Sequence, residues 1–325
     1  MSKVLRQKQG PAATRVLGVG SYQPDRVVTN DDLSKIMDTD DQWIRERVGI
    51  VERRFAEKDE LLVDMAVKAG NAALADAGLE PADVDTVLVP NCTMPAPIPN
   101  AAGQVADRIG VKAAGAFDLN AACAGFCYGL GVASDLIRAG SAGRVLVIGA
   151  EKLTDVVDPV DRANAIIFAD GAGAAVVGPS DEPRIGPVAW GSAGDLVDTI
   201  YMRDHKYIYQ EGQAVFRWAT TQIAPVAMRA VEAAGLELSD IDVLIPHQAN
   251  LRIVDAIAKR LKAKGAREDL VVADDIVHSG NTSSASIPMA LDHMRKAGAV
   301  ATDDVVLMVG FGAGLSYAGQ VVICP

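Results

Sequence analysis

A nine-residue segment occurs twice in this chain, and the repeat constrains the fold more than any other feature. Residues 77–85, AGLEPADVD, return as residues 234–242, AGLELSDID, with six of nine positions identical at an offset of 157. Each copy follows an alanine-rich amphipathic segment that ends at a glycine suited to a left-handed helix cap. Each copy also leads into an apolar strand that ends in proline. The repeat therefore predicts a related helix-loop-strand unit in each half of the chain.

A second, weaker match extends the duplication. Residues 144–149, RVLVIG, resemble residues 305–310, VVLMVG, at nearly the same offset. Continuous apolar strands separated by helical segments are typical of largely parallel sheets with helices on both faces. We therefore predict an α/β protein built from two duplicated halves about a pseudo-twofold axis. The predicted divisions are a flexible tail (1–14), an N-terminal half (15–180) and a C-terminal half (181–325).

Composition excludes several classes of function. The chain has 325 residues, half of them hydrophobic, and a net charge of −11, which argues against general nucleic-acid binding. The first 15 residues contain no apolar core of a signal peptide, and no stretch approaches the roughly 20 apolar residues of a membrane helix. Four cysteines without C-x-x-C spacing predict neither a disulfide framework nor a zinc site. The sequence thus predicts a cytoplasmic protein.

One of these cysteines, Cys123, is a candidate nucleophile. It comes shortly after residues 116–119, which we predict to form a short buried strand, and before a helical segment. A thiol at a strand-to-helix turn faces unpaired N–H groups and the helix dipole, which favour the thiolate. The same helix carries Gly125, Gly129 and Ala133 on one face, which predicts close approach of a second helix; an ordinary tightly packed core is the alternative. Taken alone, an isolated cysteine is more often a small buried apolar residue.

Two later polar clusters complete the candidate site: residues 246–250, PHQAN, and residues 280–284, GNTSS. A lone histidine after a strand or a lone asparagine beside glycine usually has an ordinary structural role. The repeat, however, aligns His247 with Asn91, and Asn281 follows Cys123 by 158 residues. We therefore predict one site to which both halves contribute.

In this combination the chain resembles β-ketoacyl-[acyl-carrier-protein] synthase III, an initiating condensing enzyme of the thiolase-like superfamily. The resemblance runs from about Arg15 to the C-terminus, and it implies a five-layered αβαβα fold and a homodimer. The matching segments are TDDQWI (39–44) with Arg47, AACAGF (121–126), DR (161–162), FADGAGA (168–174), HQAN (247–250), GNTS (280–283) and GFGAG (310–314).

The resemblance implies a two-step reaction that needs no metal and no cofactor beyond a coenzyme A thioester as substrate. Cys123 would take an acyl group from acyl-CoA and deliver it to malonyl-acyl carrier protein with loss of carbon dioxide. His247 and Asn281 would donate hydrogen bonds to the enolate formed on decarboxylation. The backbone N–H groups of Cys123 and Ala313 would form the oxyanion hole.

The resemblance to the same family also implies which residues bind coenzyme A. Trp43 would stack on adenine, Arg47 and Arg162 would contact the base and phosphates, and Asn250 would hydrogen-bond the pantetheine arm. A structural stacking pair is the alternative for the tryptophan and an arginine.

The acyl pocket is predicted from Phe168 and from Ile98, which occupies the position where the family's partner subunit closes the pocket, often with a larger aromatic ring. A smaller residue there predicts a roomier pocket and primers larger than acetyl. The segment between Gly194 and Glu211, which helps to wall the pocket in the family, is shorter than expected.

A basic helix would dock the acidic carrier protein. Cationic residues crowd the segment after His247, and we assign docking to Arg252, Lys259 and Arg260. The alternative is an ordinary solvated helix surface.

The sequence is also compared with several related functions, each of which predicts different residues or a different acceptor. An elongating synthase would have a second histidine in place of Asn281, and a thiolase would have a second cysteine within residues 311–314. A priming ketosynthase or acyltransferase of polyketide biosynthesis keeps the same residues. A thioesterase-like hydrolase and a non-catalytic acyl-binding subunit are the alternatives from other classes.

Overall fold

The computed structural model describes Leu5 and residues 8–325, and within these residues two five-stranded sheets form the framework. The strands are β1 (Ala13–Tyr22), β2 (Val27–Thr29), β3 (Glu52–Arg54), β4 (Thr86–Pro90), β5 (Gly115–Leu119), β6 (Val145–Lys152), β7 (Asp170–Ser180), β8 (Ala189–Ser192), β9 (Ile200–Arg203), β10 (Tyr207–Gln210), β11 (Val243–Pro246), β12 (Val271–Val272), β13 (Val305–Gly312) and β14 (Ser316–Ile323). The helices are α1 (Asn30–Ser34), α2 (Asp41–Val48), α3 (Leu62–Asp76), α4 (Ala101–Ile109), α5 (Gly125–Arg138), α6 (Gly212–Ala233), α7 (Leu251–Lys262), α8 (Ile276–Ser279) and α9 (Ser286–Lys296).

The two sheets have the same topology, which confirms the predicted duplication. Their strand orders are β5-β4-β6-β7-β1 and β12-β11-β13-β14-β8, so the repeated segments lead into the equivalent strands β4 and β11. Each sheet contains two parallel and two antiparallel pairings, so the prediction of largely parallel sheets was wrong. The links from β6 to β7 and from β13 to β14 carry no α-helix, and without a crossover helix the chain returns antiparallel.

Three layers of helices enclose the sheets, as the five-layered prediction requires. Helices α3 and α4 cover the outer face of the first sheet, and α6 and α7 cover the outer face of the second. Helices α5 and α9 lie between the sheets, where apolar side chains of both halves form one continuous core. The central layer therefore joins the halves.

The small residues of α5 have a different partner from the predicted one. A Cβ atom at Gly129 would lie 2.9 Å from Pro90 and 3.0 Å from Val147, both of which belong to the first sheet. The prediction that this face packs on a second helix was wrong, because the glycines let α5 approach strands β4 and β6.

Equivalent turns precede the two central helices and correct the alignment of the site. A 3₁₀ turn (Ala122–Ala124) precedes α5, and another (Ser283–Ala285) precedes α9; Ala122 and Ser283 have similar positive φ values of 45° and 50°. The local offset is therefore 161 residues rather than 158. Asn281 corresponds to Asn120, and Cys123 corresponds to Ser284.

Two further predictions differ from the structure at the edges of the first sheet. Strand β5, predicted to be buried, is the outermost strand, and Phe117 on it is 38% exposed. Strand β1 begins at Ala13, and the Gly10 N–H donates to the Arg138 carbonyl at 3.1 Å, so order begins within the segment predicted as a tail. The rest of that prediction, at residues 1–4, 6 and 7, lies outside the described residues.

In the part of the chain that the structure describes, no helix is both long and apolar enough to cross a membrane.

Candidate active site

A cavity of about 810 Å³ opens between the two halves, and most of the predicted site residues line it. Its wall includes the three proposed catalytic side chains, all four predicted coenzyme A residues, and three further predicted residues. These ten residues are Cys123, His247, Asn281, Trp43, Arg47, Arg162, Asn250, Phe168, Ala313 and Arg252. Ile98, Lys259 and Arg260 do not line it.

Cys123 lies in the 3₁₀ turn between β5 and α5, at the strand-to-helix turn that the sequence predicts. Cys123 is partly exposed to the cavity. Desolvation by the surrounding protein raises the pKa of its thiol to about 12, and Ser283 acts in the opposite direction. The predicted preference for thiolate is therefore outweighed by burial. The resting nucleophile is a thiol, and it must lose a proton when it attacks.

His247 follows β11 and is 2% exposed. The Gln248 N–H donates to Ser286 Oγ at 3.4 Å, which leaves the serine hydrogen for His247 Nδ1 at 2.8 Å. This network assigns the imidazole hydrogen to Nε2. Burial lowers the pKa of His247 to about 3, so the ring is neutral at physiological pH. His247 is thus set up as a neutral N–H donor.

Hydrogen bonds of its backbone and of its side chain fix the position of Asn281. Its N–H donates to Ile167 O, and its carbonyl accepts from the Ala169 N–H, both at 2.9 Å. Its Oδ1 accepts from the Ser283 N–H at 2.9 Å. Because the oxygen of the amide is used in this way, the group that Asn281 offers to the cavity is the NH₂ donor.

The glycine-rich segment between β13 and β14 lies directly against the nucleophile. A Cβ atom at Gly312 would lie 2.7 Å from Cys123 N and 3.0 Å from its Sγ. Real Cβ atoms are not found so close, so only glycine lets this segment pass. The next residue, Ala313, lines the same cavity as Cys123, and its N–H stays the predicted second donor of the oxyanion hole.

At the mouth of the cavity, cationic and aromatic side chains stack. The Arg162 guanidinium lies 4.0 Å from the centre of the Trp43 ring, and that of Arg47 lies 5.6 Å away. Both contacts are within cation–π range. Arg162 thus stacks on Trp43, as the structural alternative expects, and the two guanidinium groups bring positive charge that suits phosphates to this part of the cavity.

Asn250 has structural partners in addition to its place on the cavity wall. Its Oδ1 accepts from the Arg252 N–H at 2.9 Å and so caps α7, and its Nδ2 donates to Arg47 O at 3.3 Å. Asn250 therefore ties α7 to α2, and one amide hydrogen remains for a ligand.

The predicted residues outside the cavity are all exposed. Ile98 is 82% exposed and was assigned to the pocket of a partner subunit, so its role stays a prediction. Lys259 and Arg260 lie on the outer face of α7, where Arg260 donates to the Thr221 carbonyl. Arg252 joins this surface to the cavity mouth, and its guanidinium lies 5.1 Å from the centre of the Phe216 ring.

Sequence reasoning missed four features of the site. These are Cys92 on the cavity wall, Glu151 behind it, Ser286 beside His247, and the β9–β10 hairpin that supplies Ile200 and Ile208. An acidic residue at the end of the apolar strand β6 was the available signal for Glu151. The short 194–211 segment does reach the cavity, because residues of its hairpin form part of the wall.

The chain is similar to known proteins in sequence and in fold. A family profile described as 3-oxoacyl-[acyl-carrier-protein (ACP)] synthase III matches residues 117–194, and the profile of the C-terminal part of that synthase matches residues 231–324. The chain is also 47% identical to a β-ketoacyl-[acyl-carrier-protein] synthase III of Streptomyces glaucescens, over the full length of both proteins.

The chain belongs to the β-ketoacyl-[acyl-carrier-protein] synthase III family.

Further known proteins are similar to this chain. A mycobacterial β-ketoacyl-[acyl-carrier-protein] synthase III of Mycobacterium avium is 46% identical, with 99% of each chain covered. The crystal structure of the Aquifex aeolicus synthase III superposes with a TM-score of 0.90 at 38% identity, covering 96% of this chain and all of that one. The priming β-ketosynthase of the R1128 polyketide pathway superposes with a TM-score of 0.94 at 44% identity, covering 99% and 98%. The fold and the condensing acyltransferase activity predicted from the sequence are confirmed.

Proposed function

We propose that this protein transfers a short acyl group from coenzyme A to Cys123 and condenses it with malonyl-acyl carrier protein. The products are coenzyme A, carbon dioxide and 3-oxoacyl-acyl carrier protein. The observation that carries this proposal is the meeting of a thiol with two fixed neutral donors, His247 and Asn281, in one cavity. A thiol can form the acyl-enzyme, and two donors without a base suit decarboxylation rather than hydrolysis.

In the first step Cys123 attacks the thioester carbonyl of acyl-CoA, whose adenine and phosphates bind at Trp43, Arg47 and Arg162. The negative charge of the tetrahedral intermediate falls on an oxygen near the N–H groups of Cys123 and Ala313. Such donors are effective because they are fixed in position before the charge develops. Exchange of one thioester for another involves little change in bond energy, so the acyl-enzyme is accessible and the kinetics are ping-pong.

In the second step the malonyl thioester replaces coenzyme A. As its carboxylate leaves, charge develops on the thioester oxygen, where the His247 Nε2–H and the Asn281 NH₂ donate hydrogen bonds. The enolate carbon then attacks the acyl carbonyl on Cys123, and the thiolate leaves. A neutral histidine suits this role because it stabilises the enolate without protonating it.

Three variants test the division of roles. Cys123→Ala should accept no acyl group from radiolabelled acetyl-, isobutyryl- or butyryl-CoA, as measured by intact-protein mass spectrometry and label retention. His247→Ala and Asn281→Ala should acylate but lose condensation, because each removes one enolate donor, at a cost of about 10²–10³ in rate. An acyl group on Cys123→Ala, or condensation by the other two at the parental rate, would contradict the proposal.

Priming of polyketide synthesis is the second candidate, because the R1128 priming ketosynthase superposes over nearly the whole chain. Both candidates use the same chemistry and differ in the carrier protein that supplies malonyl. Condensation rates with purified fatty-acid and polyketide malonyl-carriers separate them: a large preference for the fatty-acid carrier rejects the second candidate.

The carrier protein is proposed to dock on the basic surface formed by Arg252, Lys259 and Arg260, beside the cavity mouth. Arg252→Glu should raise the KM for malonyl-carrier and leave acylation by acyl-CoA much less affected. Equal KM values for the variant and the parent would argue against docking there.

A homodimer is proposed from the exposed edge of the first sheet. Strand β5 is the outermost strand of the sheet and exposes part of Phe117, and such an edge favours pairing with a second copy. Phe117→Asp should shift sedimentation toward the monomer, and an unchanged dimer would exclude this edge. The assignment of Ile98 to the partner's pocket depends on this dimer, and the cytoplasmic location stays a prediction.

A further inference from the structure

One buried carboxyl group joins the two halves of the protein beside the cavity, and the two steps described above leave it without a role. Glu151 lies near the carboxyl end of β6 with none of its surface exposed, and it does not line the cavity. Within the described residues its hydrogen-bond partners come from two segments: residues 92 and 93, which follow β4, and residues 283 and 284, which follow Asn281. Glu151 therefore connects the first half to the turn beside Asn281.

Glu151 Oε2 accepts two hydrogen bonds from the first half. The Cys92 N–H donates to it at 3.1 Å. Thr93 Oγ1 accepts from the Lys152 N–H at 2.9 Å, so its own hydrogen is donated to Glu151 Oε2 at 2.7 Å. These two donors fix the carboxyl group relative to the first sheet.

Glu151 Oε1 contacts the turn of the second half. The Ser283 hydroxyl donates to it at 3.0 Å, and the Ser284 hydroxyl lies 2.8 Å away. Ser284 Oγ is also 3.0 Å from the Pro90 carbonyl, so its hydrogen has a second acceptor. Among the described residues, Glu151 alone accepts the Ser283 hydrogen at an oxygen, because the other side-chain partner of Ser283 Oγ is Cys92 Sγ at 3.7 Å. The position of the Ser283 side chain therefore depends on Glu151.

Ser283 in turn fixes the amide of Asn281. Its backbone N–H donates to Asn281 Oδ1 at 2.9 Å, which leaves the NH₂ group for the cavity. Ser283 has a positive φ of 50°, a strained conformation for a residue other than glycine, which persists only where surrounding contacts hold it. The equivalent turn of the first half repeats the backbone contact, from the Ala122 N–H to Asn120 Oδ1 at 3.2 Å, but alanine has no hydroxyl. Of the two turns, the one beside the proposed enolate donor has the side-chain tether.

We propose that Glu151 is a positioning residue for condensation, which acts through Ser283 to hold the Asn281 NH₂ group toward the malonyl thioester. This inference rests on the proposed function of Asn281. Glu151 touches no reacting atom and transfers no proton; its carboxyl group serves as a fixed acceptor between the halves. Its effect should therefore fall on the step that uses Asn281.

Ser283→Ala tests this route, because it removes the tether and keeps the backbone N–H that holds Asn281. The rate of condensation should fall about tenfold, a part of the 10²–10³ that loss of a donor costs. kcat and kcat/KM should fall together, because the enolate charge exists only in the transition state. Both are measured by single-turnover reaction of the butyryl-enzyme with increasing malonyl-carrier. Acylation by butyryl-CoA, which does not use Asn281, should change less than condensation.

A double variant separates positioning from general damage to the site. In the Asn281→Ala background, Ser283→Ala should slow the residual condensation no further, because the amide that it orients is absent. Losses that multiply in the double variant, or a parental rate of condensation in Ser283→Ala, overturn the proposal. Ser284→Ala is the matched control, because it removes a hydroxyl from the same carboxyl oxygen, in a residue that lies outside the cavity wall and does not hold Asn281. It should lose less than Ser283→Ala, and an equal loss overturns the route through Ser283.

Two variants of Glu151 itself separate its hydrogen bonds from its charge. Glu151→Met should reproduce the loss seen in Ser283→Ala. Glu151→Gln should restore most of that rate, because its carbonyl can accept from Cys92 and Thr93 while its NH₂ group donates to the two serine hydroxyls. A Gln variant as slow as Asn281→Ala would show that the charge is required and overturns the proposal. If Glu151→Met does not fold, the serine and double variants decide. If the parental butyryl-enzyme does not condense, the proposed function fails instead.

Discussion

Gly312→Ala tests whether the segment that passes Cys123 is as close as the structure places it. The added methyl group would lie 2.7 Å from Cys123 N and 2.8 Å from its Cβ, whereas ordinary contacts of Cβ begin at 3.4 Å. The segment or the nucleophile must therefore move by about 0.7 Å, and a misplacement of about 1 Å costs on the order of 10²-fold in rate.

The methyl group that Gly312→Ala adds would also lie against the Cys123 N–H, which is a proposed oxyanion donor. Loss of one such donor costs about 10²–10³ in rate, so the two effects together predict a decrease of at least about 10²-fold in acylation. Acylation is measured in a single turnover with acetyl-CoA, and binding of coenzyme A by calorimetry reports whether the site is still folded.

Gly194→Ala is the matched control, because a Cβ atom there meets nothing within 4 Å. It should acylate at the parental rate. A Gly312→Ala variant that binds coenzyme A and acylates at the parental rate would refute the close approach and with it the placement of the oxyanion hole.

Two further predictions concern His247. Ser286→Ala should slow condensation about fivefold by removing the hydrogen bond that sets the tautomer, and should leave acylation unchanged; equal losses in both half-reactions would contradict this role. Because the pKa of His247 falls from 6.5 to about 3 on folding, the unfolded chain binds the proton preferentially and stability decreases as the pH falls below 6.5. Between pH 7 and pH 5 the parent should lose about 2 kcal/mol more unfolding free energy than His247→Ala in urea titrations, and equal losses would show that His247 is not buried as a neutral ring.

The duplication and the identity of the reacting groups could be read from the sequence because they depend on local signals. The repeated segments at 77–85 and 234–242 differ at three positions that do not alter the helix cap or the strand that follows. Cys123 comes shortly after β5 of the first sheet, and His247 comes directly after β11 of the second. The repeat predicted that both halves contribute to one site, because related units about a pseudo-twofold axis can bring equivalent segments together.

The tertiary structure decided which residues are equivalent and what surrounds them. The matched turns at Ala122 and Ser283 show that Asn281 corresponds to Asn120. The longer repeat at 77–85 and 234–242 has an offset of 157 and does not give this alignment. Strand β5 has the apolar composition of a buried strand, but its position at the sheet edge is fixed by pairing, which composition does not encode.

The pKa values of the site residues likewise depend on the tertiary structure. A helix N-terminus favours a thiolate, and the sequence shows that helix, but the desolvation that raises the pKa of Cys123 comes from residues of both halves packed around it. Glu151 forms a hydrogen bond with Ser283, which lies 132 positions away in the chain. His247 forms one with Ser286, which lies 39 positions away. The sequence by itself determined which chemical groups the protein carries and on which strands; packing determined their protonation, because the cost of burying a charge depends on every neighbour and not on the local segment.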